Sequence, residues 1–374
     1  MAGIYLHIPF CKQACTYCDF HFSTNLSTQE EVLALMREEL RFRENELAGE
    51  KVNTIYFGGG TPSIVGADDI ARLIQTIADQ YDLSDKLEVT LEANPDDIEI
   101  VKLGSWKTAG INRLSIGVQS LNDDVLRWMN RSHNSKQAKE AVHLALEQGF
   151  ETSTIDLIYG MPEMSEQEWI DTLQYVSDCG INHVSAYNLT VENGTVLSHQ
   201  IKKGARIPPD DHTGSLHYGI LVDRLESNGW DHYEVSNFAK PGFRSTHNSN
   251  YWSRIPYVGV GPGAHSFADN IRRWNVSSNQ HYLKKFSDGS YFESEQLTRT
   301  DRINEIIMLG LRTAKGIDTY SLEAEGFSIF REHEDYLKSF IENGMLEWDE
   351  TYLRTTRKGM YFADRIASDL FLVS

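Results

Sequence analysis

The stretch "IYLHIPFCKQACTYCDF", Ile4 to Phe20, decides how the rest of the chain is read. Its first five residues form a β-branched apolar run of strand length, and a loop with cysteines at 11, 15 and 18 follows. Zinc sites draw four ligands from two separated pairs and a redox Cys-x2-Cys uses two, so neither explains three thiols on one loop. Iron-sulfur clusters do take thiolates, and a cubane held by three cysteines leaves one iron open to an exogenous ligand. His7 and Phe10 precede the first cysteine, while Tyr17, Phe20 and Phe22 surround the last. They offer an apolar wall that restricts solvent and tunes a cluster's potential.

Further along, runs of the same kind recur at 52–57, 87–93, 112–119, 152–160 and 183–189. Between them lie amphipathic segments such as "NSKQAKEAVHLALEQGF", opened by Ser, Thr or Asn caps. Six βα units of ~30 residues imply parallel strands joined by right-handed helical crossovers, a partial (β/α)6 barrel of the TIM-like kind. Gly58, Gly59, Gly60, Glu92, Gln119, Asp156 and Asn188 stand where those strands should end. In βα barrels that end is the active-site face, so these residues should converge with the cysteine loop. Taken alone, Asp156 would suit a turn cap equally well, and Gly58–Gly60 a tight turn.

The expected barrel domain covers 1–232. A region rich in Gly, Pro, aromatics and His follows at 233–290, too aromatic for disorder and read as an ordered connection. Residues 291–374 read as a smaller, mostly helical domain with a winged-helix-like order of elements. That order often means DNA binding, but this part holds 10 basic and 16 acidic residues, a net of -6. The whole chain of 374 residues has 54 acidic and 35 basic side chains, a net of -19, so a nucleic-acid partner is not expected. The start "MAGIYLHIPFCK" has no basic and apolar leader, and no window approaches the ~18 to 20 apolar residues of a membrane span, so a soluble cytoplasmic protein is expected. Only four cysteines occur, which with three on one loop points to metal binding in a reducing compartment; Cys179 reads as a small buried side chain.

The three-cysteine loop followed by "GGGTP" (58–62) after the second strand resembles the radical S-adenosylmethionine (SAM) superfamily. The resemblance implies a [4Fe-4S] cluster on Cys11, Cys15 and Cys18 whose open iron takes the amino and carboxylate groups of SAM. In that superfamily the reduced cluster cleaves SAM to methionine and a 5'-deoxyadenosyl radical. The stretches "YLHIPFC", "YFGGGTPS", "LEANP", "SIGVQS", "MNRSH", "IDLIYGMP" and "GVGPGAHS" are similar to the HemN-like branch, which comprises oxygen-independent coproporphyrinogen III dehydrogenases and HemW-type heme chaperones.

Carried over by position, the resemblance puts Tyr5 and Arg131 near the cofactor's methionyl end and Gly58 and Gly59 against its amino group. Glu92, Gln119 and Asp156 would surround its sugar and amino acid part. Carboxylates suit ribose hydroxyls, and a guanidinium suits a carboxylate. Without the family, Arg131 reads as a surface charge.

Three features favour the HemW type. Phe20 stands where the dehydrogenases have a fourth cysteine, "HNSNYW" (247–252) resembles a HemW signature, and the chain starts directly at the first strand. The implied activity is therefore heme binding and transfer to an acceptor protein, with coproporphyrinogen III dehydrogenation as the alternative and SAM cleavage left open. His247 is the expected heme contact, because imidazole is a common axial ligand, with Tyr251 and Trp252 packing on the macrocycle and His265 as the next candidate. A structural role for His247 is the competing reading. The implied partners are heme, a respiratory-chain heme acceptor met at a membrane surface, a flavodoxin or ferredoxin if SAM is cleaved, and a second copy in a homodimer.

Overall fold

The computed structural model describes residues 1–373. All six expected strands form: β1 (Ala2–Ile8), β2 (Val52–Gly59), β3 (Leu83–Ala93), β4 (Arg113–Gln119), β5 (Thr154–Tyr159) and β6 (His183–Asn188). They pair in chain order and in parallel, as helical crossovers require. The crossover helices bury one stripe each; Gln29–Phe42 turns Val32, Leu33, Met36 and Leu40 inward. Helices Ser135–Glu147 and Glu166–Asp178 start from capping boxes at Asn134 and Ser165, which satisfy backbone donors that the first turn leaves free. The α/β class with a parallel barrel-like sheet is thus as the sequence predicts.

The region read as a connection is largely sheet. Strands β7 (Asp231–Glu234) and β8 (Asn237–Ala239) continue the sheet beyond β6. On the other edge β9 (Tyr257–Val260) pairs in parallel with β1, followed by β10 (His265–Ala268), β11 (Ile271–Asn275) and β12 (Phe292–Gln296), so one open sheet has 12 strands. The boundary expected at 232/233 therefore falls inside β7. Strands of three to five residues are too short for a two-residue alternation to stand out in sequence.

A buried ion pair fastens this extension to the first crossover helix. Arg43 donates to Glu39 at 3.0 Å, to the Gly259 carbonyl at 2.6 Å and to Ser266 Oγ at 2.8 Å. Glu39 also accepts from Gly261 N–H, Tyr282 Oη and Asn275 Nδ2. Both charges are fully buried, and these neutral donors and acceptors saturate most of their bonding capacity.

The segment "HNSNYW" lies on the short helix Thr246–Trp252, packed under the N-terminal ends of the first strands. Its Thr246 and His247 N–H groups donate to the Glu88 carboxylate at 3.0 and 2.9 Å, and Asn250 donates to Asn53 at 3.1 Å.

Residues from Arg299 onward have their own core, with Ile303, Ile307, Leu311, Leu322, Leu337, Leu353 and Ile366 buried. Helix Arg299–Leu311 packs with shorter helices, and β14 (Leu346–Trp348) and β15 (Tyr352–Thr355) make a hairpin beside β13 (Ile317–Asp318). His333 separates helices Ile329–Glu332 and Glu334–Glu342, and Tyr361–Phe362 separate Arg357–Met360 from Ala363–Asp369. This unit docks through Val235 N–H to the Arg312 carbonyl at 2.8 Å and Ala314 N–H to the Tyr233 carbonyl at 3.0 Å.

Candidate functional site

A cavity of about 420 Å³ opens at the C-terminal ends of β1–β6. Its wall includes Cys11, Cys15 and Cys18 from the loop after β1, so all three thiols face one space. The loop is tied down by its backbone: Cys11 N–H donates to Ser23 at 3.0 Å, Ser23 N–H to Pro9 at 2.9 Å and Thr16 N–H to Met129 at 3.1 Å. Asn130, in a left-handed conformation with φ 59°, donates Nδ2 to the Ala14 carbonyl at 2.7 Å and accepts from Gln13 through its own carbonyl. Among the described residues no three His, Cys, Asp or Glu side chains converge on a position for one metal ion. A cubane takes one thiolate per iron, so three thiols lining one space match its donor set.

The glycines that end β2 and follow it are required by close approaches. A Cβ on Gly60 would lie 2.6 Å from the Phe10 carbonyl oxygen, and one on Gly59, whose φ is +107°, would lie 2.7 Å from the His7 ring. The absent side chains let the end of β2 pass directly against the cysteine loop. Gly59 and Gly60 line the cavity, and Gly58 packs against Glu92, Tyr56 and Tyr5, where a Cβ would come within 3.0 Å of each side chain.

Glu92, Gln119, Arg131 and Asp156 all reach the cavity. Glu92 accepts from Tyr56 Oη at 2.9 Å and from Gly59 N–H at 3.2 Å. Burial pushes its pKa up to about 7, and the nearby Asp156 carboxylate adds to the rise. Asp156 is raised to about 6 by burial, opposed by hydroxyl donors on the neighbouring strands, Ser115 at 2.8 Å and Ser185. Gln119 ends β4 at φ 64°. Arg131, far from a surface charge, is held by Asn94 Oδ1 at 2.7 Å and the Gly117 carbonyl at 2.8 Å and donates to Cys15 Sγ at 3.3 Å. Its Nε, buried without a partner, leaves a donor for a bound anion.

Tyr5 and His247 lie one layer deeper. Tyr5 Oη is 3.0 Å from His7 Nδ1, and its ring lies 6.1 Å from that of Tyr56 and 6.5 Å from that of His247. His247 is 2% exposed, with Nδ1 at 2.8 Å from Thr54 Oγ1 and Nε2 at 2.9 Å from Tyr251 Oη. Its ring stacks on Tyr56 at 4.8 Å, and burial lowers its pKa to about 3. Both ring nitrogens are occupied, so the helix does not present His247 to the cavity; the adjacent Asn248 does line it. Trp252 packs under Arg312 at 5.7 Å, away from any shared face with His247, while His265 is exposed beside Trp274.

Tyr56, Asn94, Ser115, Ser185, Tyr187 and Asn248 complete the wall without having been singled out for it. Tyr56 was within reach of the sequence, because it lies two residues before Gly58 and so shares its inward face. Phe20 stands at the rim, 66% exposed, lining the cavity with an apolar ring.

The Radical SAM superfamily matches residues 5–176, and the HemN C-terminal domain matches residues 297–362. The chain is 34% identical to the heme chaperone HemW of Lactococcus lactis, covering 98% of this chain and 97% of that protein. It is 32% identical to the heme chaperone HemW of Bacillus subtilis, with 98% of each covered. Its fold is that of the coproporphyrinogen III oxidase HemN from Escherichia coli, at a TM-score of 0.84 and 22% identity over 99% of this chain and 90% of that one. Superfamily membership implies a [4Fe-4S] cluster and SAM, and no helix among the described residues is long and apolar enough to cross a membrane. With relatives this similar over its full length, the chain belongs to the HemW family of the radical SAM superfamily.

Proposed function

We propose that this protein binds heme and passes it to an acceptor protein, with a [4Fe-4S] cluster and SAM held in the barrel mouth. The observation that carries this reading is the full-length similarity to heme chaperones, joined to an apolar Phe20 where the dehydrogenase branch places a thiol. The reducing environment that the free thiols need is met in the cytoplasm.

Cys11, Cys15 and Cys18 would hold the cluster, and Arg131, through its unpaired Nε, the carboxylate of SAM. Gly59 would lend close backbone approach to the amino group, with Gly58 and Tyr5 supporting from behind. Glu92, Gln119 and Asp156 would accept from or donate to the ribose and amino acid groups. When bound, the pair supplies a one-electron cleavage of the sulfonium. The chain's own part is to hold Glu92 and Asp156 in the cavity wall, orient them by Tyr56 and Ser115, and limit solvent with Tyr17, Phe20 and Phe22.

For heme, His247 can serve as axial ligand only after Nε2 leaves the Tyr251 hydroxyl, which requires a shift of helix Thr246–Trp252. A heme titration followed at the Soret band tests this. Stoichiometric binding that His247→Ala weakens supports the assignment, and binding unchanged in His247→Ala but lost in His265→Ala transfers it to the exposed histidine. Absence of stoichiometric heme binding overturns the chaperone reading. Anaerobic conversion of coproporphyrinogen III to protoporphyrinogen IX by reconstituted protein would establish the alternative.

A further inference from the structure

We propose that residues 196–207, beside the cluster loop, form the docking surface for a small acidic protein that carries one electron. This rests on the reading that Cys11, Cys15 and Cys18 hold a reducible cluster. The segment "VLSHQIKKGARI" contains Lys202, Lys203 and Arg206 and no carboxylate, in a chain whose net charge is -19. Lys202 and Lys203 are exposed, and neither has an ion-pair partner among the described residues. Glu192 and Asp210 flank the segment without entering it.

One end of the segment is fastened to the cysteine loop and the other to Trp128, which the loop also contacts. Leu197 N–H donates to the carbonyl of Thr16, between Cys15 and Cys18, at 2.8 Å. The Arg206 guanidinium lies 4.6 Å over the Trp128 ring and donates to the Trp128 carbonyl, which also accepts from Thr16 Oγ1. A partner seated here is separated from the cluster loop by one layer of chain, and electron transfer falls steeply with distance. Val196 and Ile207, 50% and 68% exposed, add apolar contact beside the cations, the mixture found where transient partners meet.

Charge complementarity selects the occupant. An acidic carrier is repelled by the protein as a whole and attracted by this cationic strip, so the field both permits association and orients it toward the cluster. In the transfer, the carrier's flavin hydroquinone anion gives one electron and becomes the neutral semiquinone, while the cluster passes from the 2+ to the 1+ state. No proton or bond is exchanged.

The test uses the full chain with its cluster reconstituted anaerobically, and flavodoxin as the carrier. Binding of oxidised flavodoxin is measured by calorimetry at several salt concentrations, and cluster bleaching by reduced flavodoxin is followed by stopped flow. The Lys202→Glu/Lys203→Glu variant should weaken binding and slow bleaching by about 10-fold or more at low salt, with the difference fading as salt rises. Arg206→Gln, which removes one charge without reversing it, should show a smaller effect in the same direction. Bleaching by dithionite, which needs no docking, should be equal in all three proteins. Equal flavodoxin affinity and rate in wild type and the double variant overturn the docking surface while leaving the cluster reading intact. Loss of co-sedimentation with phosphatidylserine vesicles, with flavodoxin binding unchanged, reassigns the strip to a lipid surface and also overturns it. Failure of dithionite to bleach any reconstituted cluster overturns both readings together.

Discussion

Replacing Glu92 by Gln should change how stability depends on pH rather than remove a fixed amount of it. The carboxyl accepts from Tyr56 Oη at 2.9 Å and Gly59 N–H at 3.2 Å, and burial raises its pKa from 4.5 to about 7. A carboxyl with a folded pKa above its unfolded value binds more protons in the folded state. Its stabilising contribution is therefore fully present below pH 4.5 and is lost as pH rises through about 7. Such a rise corresponds to ~3 kcal/mol. The side chain faces an open cavity, so solvent screens part of this and ~1–2 kcal/mol remains. Gln mimics the protonated acid and carries no titration. Urea unfolding of both proteins under anaerobic conditions at pH 5 and pH 8.5 isolates the term, because every other titrating group is shared. Wild type should lose ~1–2 kcal/mol more than Glu92→Gln between the two pH values. Parallel pH profiles, or a larger loss in the variant, would refute the claim that Glu92 sits protonated in the wall.

Arg131→Lys keeps the charge but not the forked contacts with Asn94 and Gly117, and should weaken SAM binding about 10- to 100-fold in equilibrium dialysis with cluster content unchanged. Gly60→Ala drives a Cβ to 2.6 Å from the Phe10 carbonyl, so the reconstituted variant should lose most of its iron in a colorimetric assay. Tyr251→Phe frees His247 Nε2; if that nitrogen binds heme iron, the Soret titration should saturate at lower heme than in wild type. Arg43→Ala strands the fully buried Glu39 and should cost ~3–5 kcal/mol in urea unfolding, against a smaller loss for Glu39→Leu/Arg43→Met.

Much of the site could be read before the fold was known because its residues fall at strand ends that a βα repeat brings together. Cys11, Gly59, Glu92 and Gln119 lie at or just past the C-terminal ends of their strands and Asp156 faces the same cavity from within β5, so strand order and parallel pairing suffice to make them neighbours. Arg131 is legible only through the family resemblance, since it follows a six-residue helix and is held by Asn94 from the preceding unit and by the Gly117 carbonyl of β4. The extension from β7 to β12 escaped detection because its strands are short and held partly by the buried Glu39–Arg43 pair, whose partners lie more than 200 residues apart in sequence.

Local chemistry, legible residue by residue, determined the cysteine loop, the period of strands and helices, and the Phe20 that turns the reading toward heme handling. Long-range packing alone decided the rest. The side-chain pattern of "HNSNYW" suggested an available imidazole, yet Thr54, Tyr56 and Tyr251 occupy both nitrogens and one face of His247. A histidine's availability is set by what its ring nitrogens already bind, and those partners come from strand β2 and from the opposite end of its own helix. In the same way, the lysines at 202 and 203 look like an ordinary solvated turn in the sequence. They acquire a role only through the hydrogen bond from Leu197 to Thr16, which sets them beside the cysteines.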